Sequence, residues 1–137
     1  MWIYMNDSFL SIVRHRDQPQ YLMVRARRKG DIEAVFPAAS VDRTPVADYR
    51  YRAVIHEQDV SRVIASRINS IEYDNFKDSV KDPARVNVYH QLWATSFRLG
   101  EDSDVYSMYN EDHFKRYIGG TFEAEEIERR FLPDGEV

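Results

Sequence analysis

Residues 9–27 read FLSIVRHRDQPQYLMVRAR, and this stretch decides the fold. Phe9 to Arg16 mixes β-branched and aromatic residues, Asp17-Gln18-Pro19-Gln20 is a four-residue turn signal, and Tyr21 to Arg27 returns as a second strand. Upstream, Asn6-Asp7 turns the chain back from Trp2–Met5 as a hairpin. The chain therefore opens with three strands on short connections, an order that favours antiparallel pairing.

Downstream the period changes. Gly30 precedes a short helix, Asp31 to Phe36, in which Ile32, Val35 and Phe36 share a face and Pro37 prevents continuation. A loop over 37–48 leads to a strand, Tyr49 to His56. A second helix, about Asp59 to Ile71, places Val60, Val63, Ile64, Ile68 and Ile71 on one stripe that should face the sheet. Residues 73–81 read as a loop that packs through Tyr73 and Phe76. Asp82-Pro83, an N-cap with Pro at the first helical position, opens a helix through Val86, Tyr89, Leu92, Trp93, Phe97 and Leu99 that Gly100 stops. Beyond an acidic linker, Tyr106, Tyr109, Phe114, Tyr117 and Ile118 are candidates to pack back on the body. Gly119-Gly120 separates them from a last helix over Phe122–Phe131. The expected class is α+β: an open antiparallel sheet of three to four strands with two or three helices on one face, a ferredoxin-like order being one alternative. Residues 1–100 are expected to form the α+β domain, and 101–137 a C-terminal extension with an acidic tail.

Composition narrows the function. A chain of 137 residues, 43% hydrophobic and 31% charged with five Gly and five Pro, is globular in character. It holds no Cys, which excludes disulfides, thiolate metal sites and a Cys nucleophile. The first residues have neither a basic n-region nor a sustained apolar run, so a cytoplasmic protein with no membrane partner is expected. The net charge of −4 hides a gradient: residues 1–56 carry nine Lys/Arg against six Asp/Glu, and residues 122–137 carry two against six. Such a tail is either a solvated end or an interaction segment.

Four phrases, MWIYMNDSFLSIVRHRD (1–17), LMVRARRKGDIEAVFPAA (22–39), TPVADYRYRAVI (44–55) and IEYDNFKDSVKD (71–82), together resemble a small family of uncharacterised proteins. Its members occur in proteobacteria, their phages and other mobile elements. The likeness spans about residues 1–99 and implies no particular activity, cofactor or catalytic residue. It makes 101–137 an extension peculiar to this chain.

The most distinctive pattern is a repeated arginine pair. Arg14 and Arg16, Arg25 and Arg27, and Arg50 and Arg52 each stand at i, i+2 on an expected strand, so each pair shares a face. On the last strand Tyr49, Tyr51, Ala53 and Ile55 form the opposite, core-facing side. If the strands are neighbours in suitable register, six guanidiniums gather away from the helices, with Tyr21 and Met23 beside Arg25 and Arg27. Arginines mixed with aromatics on an open sheet suit phosphate contact and base stacking. The plain alternative is a solvated face whose arginines pair with carboxylates such as Asp17 or Asp48.

Other constellations are thinner. Arg27-Arg28-Lys29-Gly30-Asp31 sets cations and a Gly before a helix, but Asp31 complements the dipole and would repel an anion. His15, His56, His90 and His113 lack zinc-site spacing. His15 and His56 are the candidate proton carriers, with Glu57 beside His56. Asp74, Asp78 and Asp82, with Glu72 nearby, recur every four residues but lack the central Gly of a calcium loop, and Lys77 and Lys81 interrupt them. No metal ligands and no cofactor are expected. The expectation is a non-enzymatic macromolecule-binding module, a phage or mobile-element accessory protein acting on host nucleic acid or nucleoprotein, anti-defence inhibition included. Two rivals stand beside it: a small enzyme on a phosphorylated or nucleotide substrate, and a homodimer built through the segment after residue 100.

Overall fold

The computed structural model describes residues 1–100, apart from the Phe97 side chain; the expected packing of 106–118 and the helix over 122–131 lie outside the described residues. The chain divides into two compact units, the first ending at Asp82 and the second beginning at Pro83.

The first unit is built on a five-stranded sheet, every neighbouring pair antiparallel. Strands β1 (Trp2–Tyr4), β2 (Phe9–Arg14) and β3 (Tyr21–Ala26) form a meander, as their short connections predict. Met5 N–H donates to the Ser8 carbonyl at 2.8 Å and closes the Asn6-Asp7 turn. Tyr21 N–H donates to the Gln18 carbonyl at 3.0 Å and closes the second. Helix α1 (Asp31–Val35) follows. Gly30 precedes it at φ 93°, a left-handed conformation that costs Gly least, and nothing lies within 4 Å of where a Cβ would stand, so the constraint is the backbone alone. The Asp31 carboxylate is buried and accepts the Phe9 N–H at 3.0 Å, tying the start of α1 to β2.

Strand β4 (Asp42–Arg43) lies on the sheet edge against β5 (Tyr51–His56), and β5 pairs with β3, giving the order β1-β2-β3-β5-β4. The sheet thus has five strands rather than three to four. Two residues are too few to show an alternation, which is why β4 reads as loop in sequence. A ferredoxin-like order is not adopted, because three strands precede the first helix.

Helix α2 (Glu57–Asn69) starts directly from β5. Leu10, Ile12, Val24, Ala26, Ile32, Val35, Phe36, Ala53 and Val60 are buried together, with Leu22, Tyr51, Ile55, Val63 and Ile64 partly buried around them. This core lies between one sheet face and helices α1 and α2. The expected stripe on α2 is shorter than its sequence period: Ile68 is 62% exposed, and Ile71, beyond the helix end at Asn69, is 49% exposed. The segment 73–81 contains one helical turn, α3 (Phe76–Ser79), capped by the Asn75 side chain, and its Tyr73 and Phe76 rings stand 6.0 Å apart.

In the second unit, helix α4 (Pro83–Ser96) begins at the Pro83 start signal and continues as a 3-10 turn, Phe97–Leu99. Arg85 and Tyr89 are its buried residues, and an Arg85 Nη1 donates to the Tyr89 hydroxyl at 3.3 Å; Leu92 and Leu99 are exposed. No helix among the described residues is long and apolar enough to cross a membrane.

The contrast along α2 is testable by urea denaturation. Val60→Asp puts an unpaired carboxylate in the core and should cost several kcal/mol, about 3 or more. Ile68→Asp, at an exposed position of the same helix, should change stability by no more than about 0.5 kcal/mol.

Candidate functional site

Strand register decides which arginines meet. Arg25 on β3 stands opposite Ser11 on β2 and Arg52 on β5; Ser11 stands opposite Trp2, and Arg52 opposite Asp42. One row therefore crosses all five strands on the face away from α1 and α2: Trp2, Ser11, Arg25, Arg52, Asp42. The next row is Val13, Met23 and Val54, and the one beyond it is Tyr21 and His56. On the other side of the cationic row lie Tyr4 and Phe9, cross-strand partners stacked at 4.3 Å between ring centroids.

Two arginines lie side by side in this row. Like charges directly opposite on neighbouring strands are destabilising, and here neutral groups hold them. Arg25 donates through Nη2 to the Ser11 hydroxyl at 2.8 Å, and Arg52 donates through Nε to the Tyr49 carbonyl at 3.1 Å. The Arg25 and Arg27 guanidiniums lie over the Tyr49 ring, 4.7 and 4.8 Å from its centroid. The Arg25 Nε is buried without a hydrogen-bond partner. Among the described residues, none of Arg25, Arg27 and Arg52 is in an ion pair, whereas Arg14, Arg28, Arg62 and Arg67 pair with Glu57, Asp82, Asp59 and Asp7. Burial raises the Tyr4 pKa above its ordinary value; the neighbouring Tyr49 adds to the shift and Arg27 opposes it.

Three of the six arginines are thus together: Arg25, Arg27 and Arg52. Arg14 is on the opposite face. Its register partner is Leu22, and it shares the parity of Leu10 and Ile12, so it points to the helix side and pairs with Glu57. Arg16 lies in the bend after β2 and Arg50 just before β5, both exposed. Tyr49 is also misplaced by a simple alternation. Tyr51, Ala53 and Ile55 do border the core, but Tyr49 precedes the strand, and its buried ring turns to the arginines and to Phe9, 6.4 Å away. Trp2, 65% exposed and edge-on to Phe9 at 6.3 Å, belongs to this face and was missed by sequence reasoning; its place two residues from Tyr4 on a strand was the available signal.

Both candidate proton carriers have structural work. His15 Nδ1 accepts the N–H groups of Asp17 and Gln18 at 3.2 and 3.1 Å, capping the β2–β3 turn. His56 Nδ1 accepts the Gln58 N–H at 3.2 Å as the N-cap of α2, and its ring meets Tyr21 edge-on at 5.2 Å. In the Arg27–Asp31 run, Arg28 is bound to Asp82 at 2.8 Å, so that carboxylate is engaged as well. No three His, Asp or Glu side chains among the described residues converge as a metal would require. A groove of about 630 Å³ on the helix side is lined by Arg14, Leu22, Glu57, Gln58, Ser61 and Arg62, and its arginines pair with carboxylates.

Comparison of the chain with protein-family models, with curated proteins and with solved structures finds no match. The site therefore rests on its own geometry: three guanidiniums, held by the Tyr49 ring and two neutral oxygens, on one face of an antiparallel sheet.

Two outcomes follow. His56→Ala should destabilise the protein by about 1 kcal/mol in urea melts, and His56→Asn, which restores a capping acceptor, should recover most of that loss. The raised Tyr4 pKa means that the unfolded chain ionises first as pH rises. Stability from this residue is complete below the unfolded value near 10.0 and is lost as pH climbs through the folded one, a loss that Tyr4→Phe should reduce in alkaline melts.

Proposed function

We propose that this protein is a non-enzymatic binding module that takes the phosphates of a nucleic acid, free or within a nucleoprotein, on the face carrying Arg25, Arg27 and Arg52. The observation that carries the reading is the Arg25–Arg52 cross-strand pair, two like charges held side by side without a carboxylate between them. Arg52 has Asp42 opposite it on the edge strand, yet the two form no ion pair, and Arg25 has only Ser11 and Arg52 across its neighbouring strands. A pair held by a hydroxyl, a carbonyl and a ring keeps its positive charge for an incoming anion. Guanidinium–phosphate contacts carry no base information, so binding is weakly sequence-specific. The resemblance to proteins of phages and mobile elements supplies the setting: an accessory protein acting in a host cytoplasm on nucleic acid or nucleoprotein, blocking of a host defence being one form. The chain as a whole is net negative by 4, which repels polyanions at long range and makes the local cationic row necessary for contact.

Fluorescence anisotropy with labelled oligonucleotides at two salt concentrations tests this. The double variant Arg25→Glu, Arg52→Glu should bind at least about tenfold more weakly, and each lost contact should lower the slope of log affinity against log salt by about one on duplex DNA. An unbound wild type at low salt would refute nucleic-acid contact and make a host protein the partner to seek.

A further inference from the structure

The arginines occupy only part of the open face, and the rest of it is unlike a phosphate-binding surface. Beside the Ser11–Arg25–Arg52 row runs Val13–Met23–Val54, with Val13 37% and Val54 43% exposed. Beyond that row, Tyr21 and His56 meet edge to face at 5.2 Å. At the β1 end of the cationic row stands Trp2, two strands from Arg25 and so about 10 Å away. Cations, exposed aliphatic side chains and rings therefore alternate within a few strand widths on one surface.

We infer that the ligand of this face is single-stranded nucleic acid, with phosphates on Arg25, Arg27 and Arg52 and an unpaired base stacked on Trp2. This rests on the phosphate-contact reading and narrows it. A duplex laid on a sheet offers phosphates and groove edges while its bases stay stacked inside, so it has no use for an exposed indole or a valine row. A single strand exposes base faces that stack on aromatic rings and sugar surfaces that lie on aliphatic ones. The charge balance agrees. Three guanidiniums on a chain that is net negative by 4 suit a strand of lower charge density better than a duplex.

The test uses the full chain with a labelled oligothymidylate of about 16 nucleotides, long enough for one sheet platform, and a duplex of the same length. The single strand should bind at least about tenfold tighter at equal salt and quench Trp2 fluorescence, a change absent from Trp2→Phe, in which Trp93 is the only indole. Trp2→Ala should weaken binding about fivefold or more, and Trp2→Phe, which keeps a ring, should retain it. Val54→Glu, at an exposed position away from the core, should also weaken the single strand and gives a second variant if Trp2→Ala does not fold. Equal binding of duplex and single strand, or affinity unmoved by Trp2→Ala and Val54→Glu, overturns the single-strand inference. If Arg25→Glu with Arg52→Glu still abolishes duplex binding, the phosphate reading survives that failure. Binding of neither probe at low salt overturns both.

Discussion

Everything in the first unit depends on the register of β3 between β2 and β5. Leu22, Val24 and Ala26 alternate with Tyr21, Met23 and Arg25, and the pairing of Val24 with Ile12 and Ala53 commits one phase to the core. A slip of β3 by one residue would exchange its phases. It would turn Leu22, Val24 and Ala26 out of the core and press Met23 and Arg25 against α1 and α2. Each buried aliphatic side chain is worth about 1.5–3 kcal/mol, and the net stability of a domain is about 5–15 kcal/mol, so a few such losses outweigh the fold. The same constraint creates the site. Once the core phase is chosen, Arg25 and Arg52 must stand opposite each other on the other face.

The two faces treat positive charge differently, and this difference separates structural from available arginines. On the helix side, Arg14, Arg62 and Arg67 find carboxylates and add the modest stabilisation that exposed pairs provide. Arg67 in addition donates to the Ala34 carbonyl at 2.7 Å, linking α2 to the end of α1. On the open face the partners are a hydroxyl, a carbonyl and the Tyr49 ring, all neutral. Tyr49 is the joint between the arginines, since its ring lies under Arg25 and Arg27 and its carbonyl accepts from Arg52. It orders three cations without neutralising them. His15 and His56, by contrast, are absorbed by local geometry: each accepts backbone N–H groups that a turn or a helix start would otherwise leave unsatisfied.

What the sequence determined by itself was local. The Asn6-Asp7 and Asp17–Gln20 turns, the Gly30 and Pro83 helix starts and the order of the seven principal elements follow from turn chemistry and short-range period. Their energies lie within a few residues of chain, so one sequence suffices to read them. The candidate site was half legible on the same grounds, because i, i+2 spacing does put Arg25 beside Arg27. Only the tertiary structure decided that Arg14 belongs to the helix side, that Tyr49 turns away from the core, that Ile68 and Ile71 stay in water and that Asp42–Arg43 adds an edge strand. Each of those depends on the relative register of separate strands or on where a neighbouring layer ends. Such quantities are set by the packing of residues distant in the chain, and no spacing within one segment encodes them.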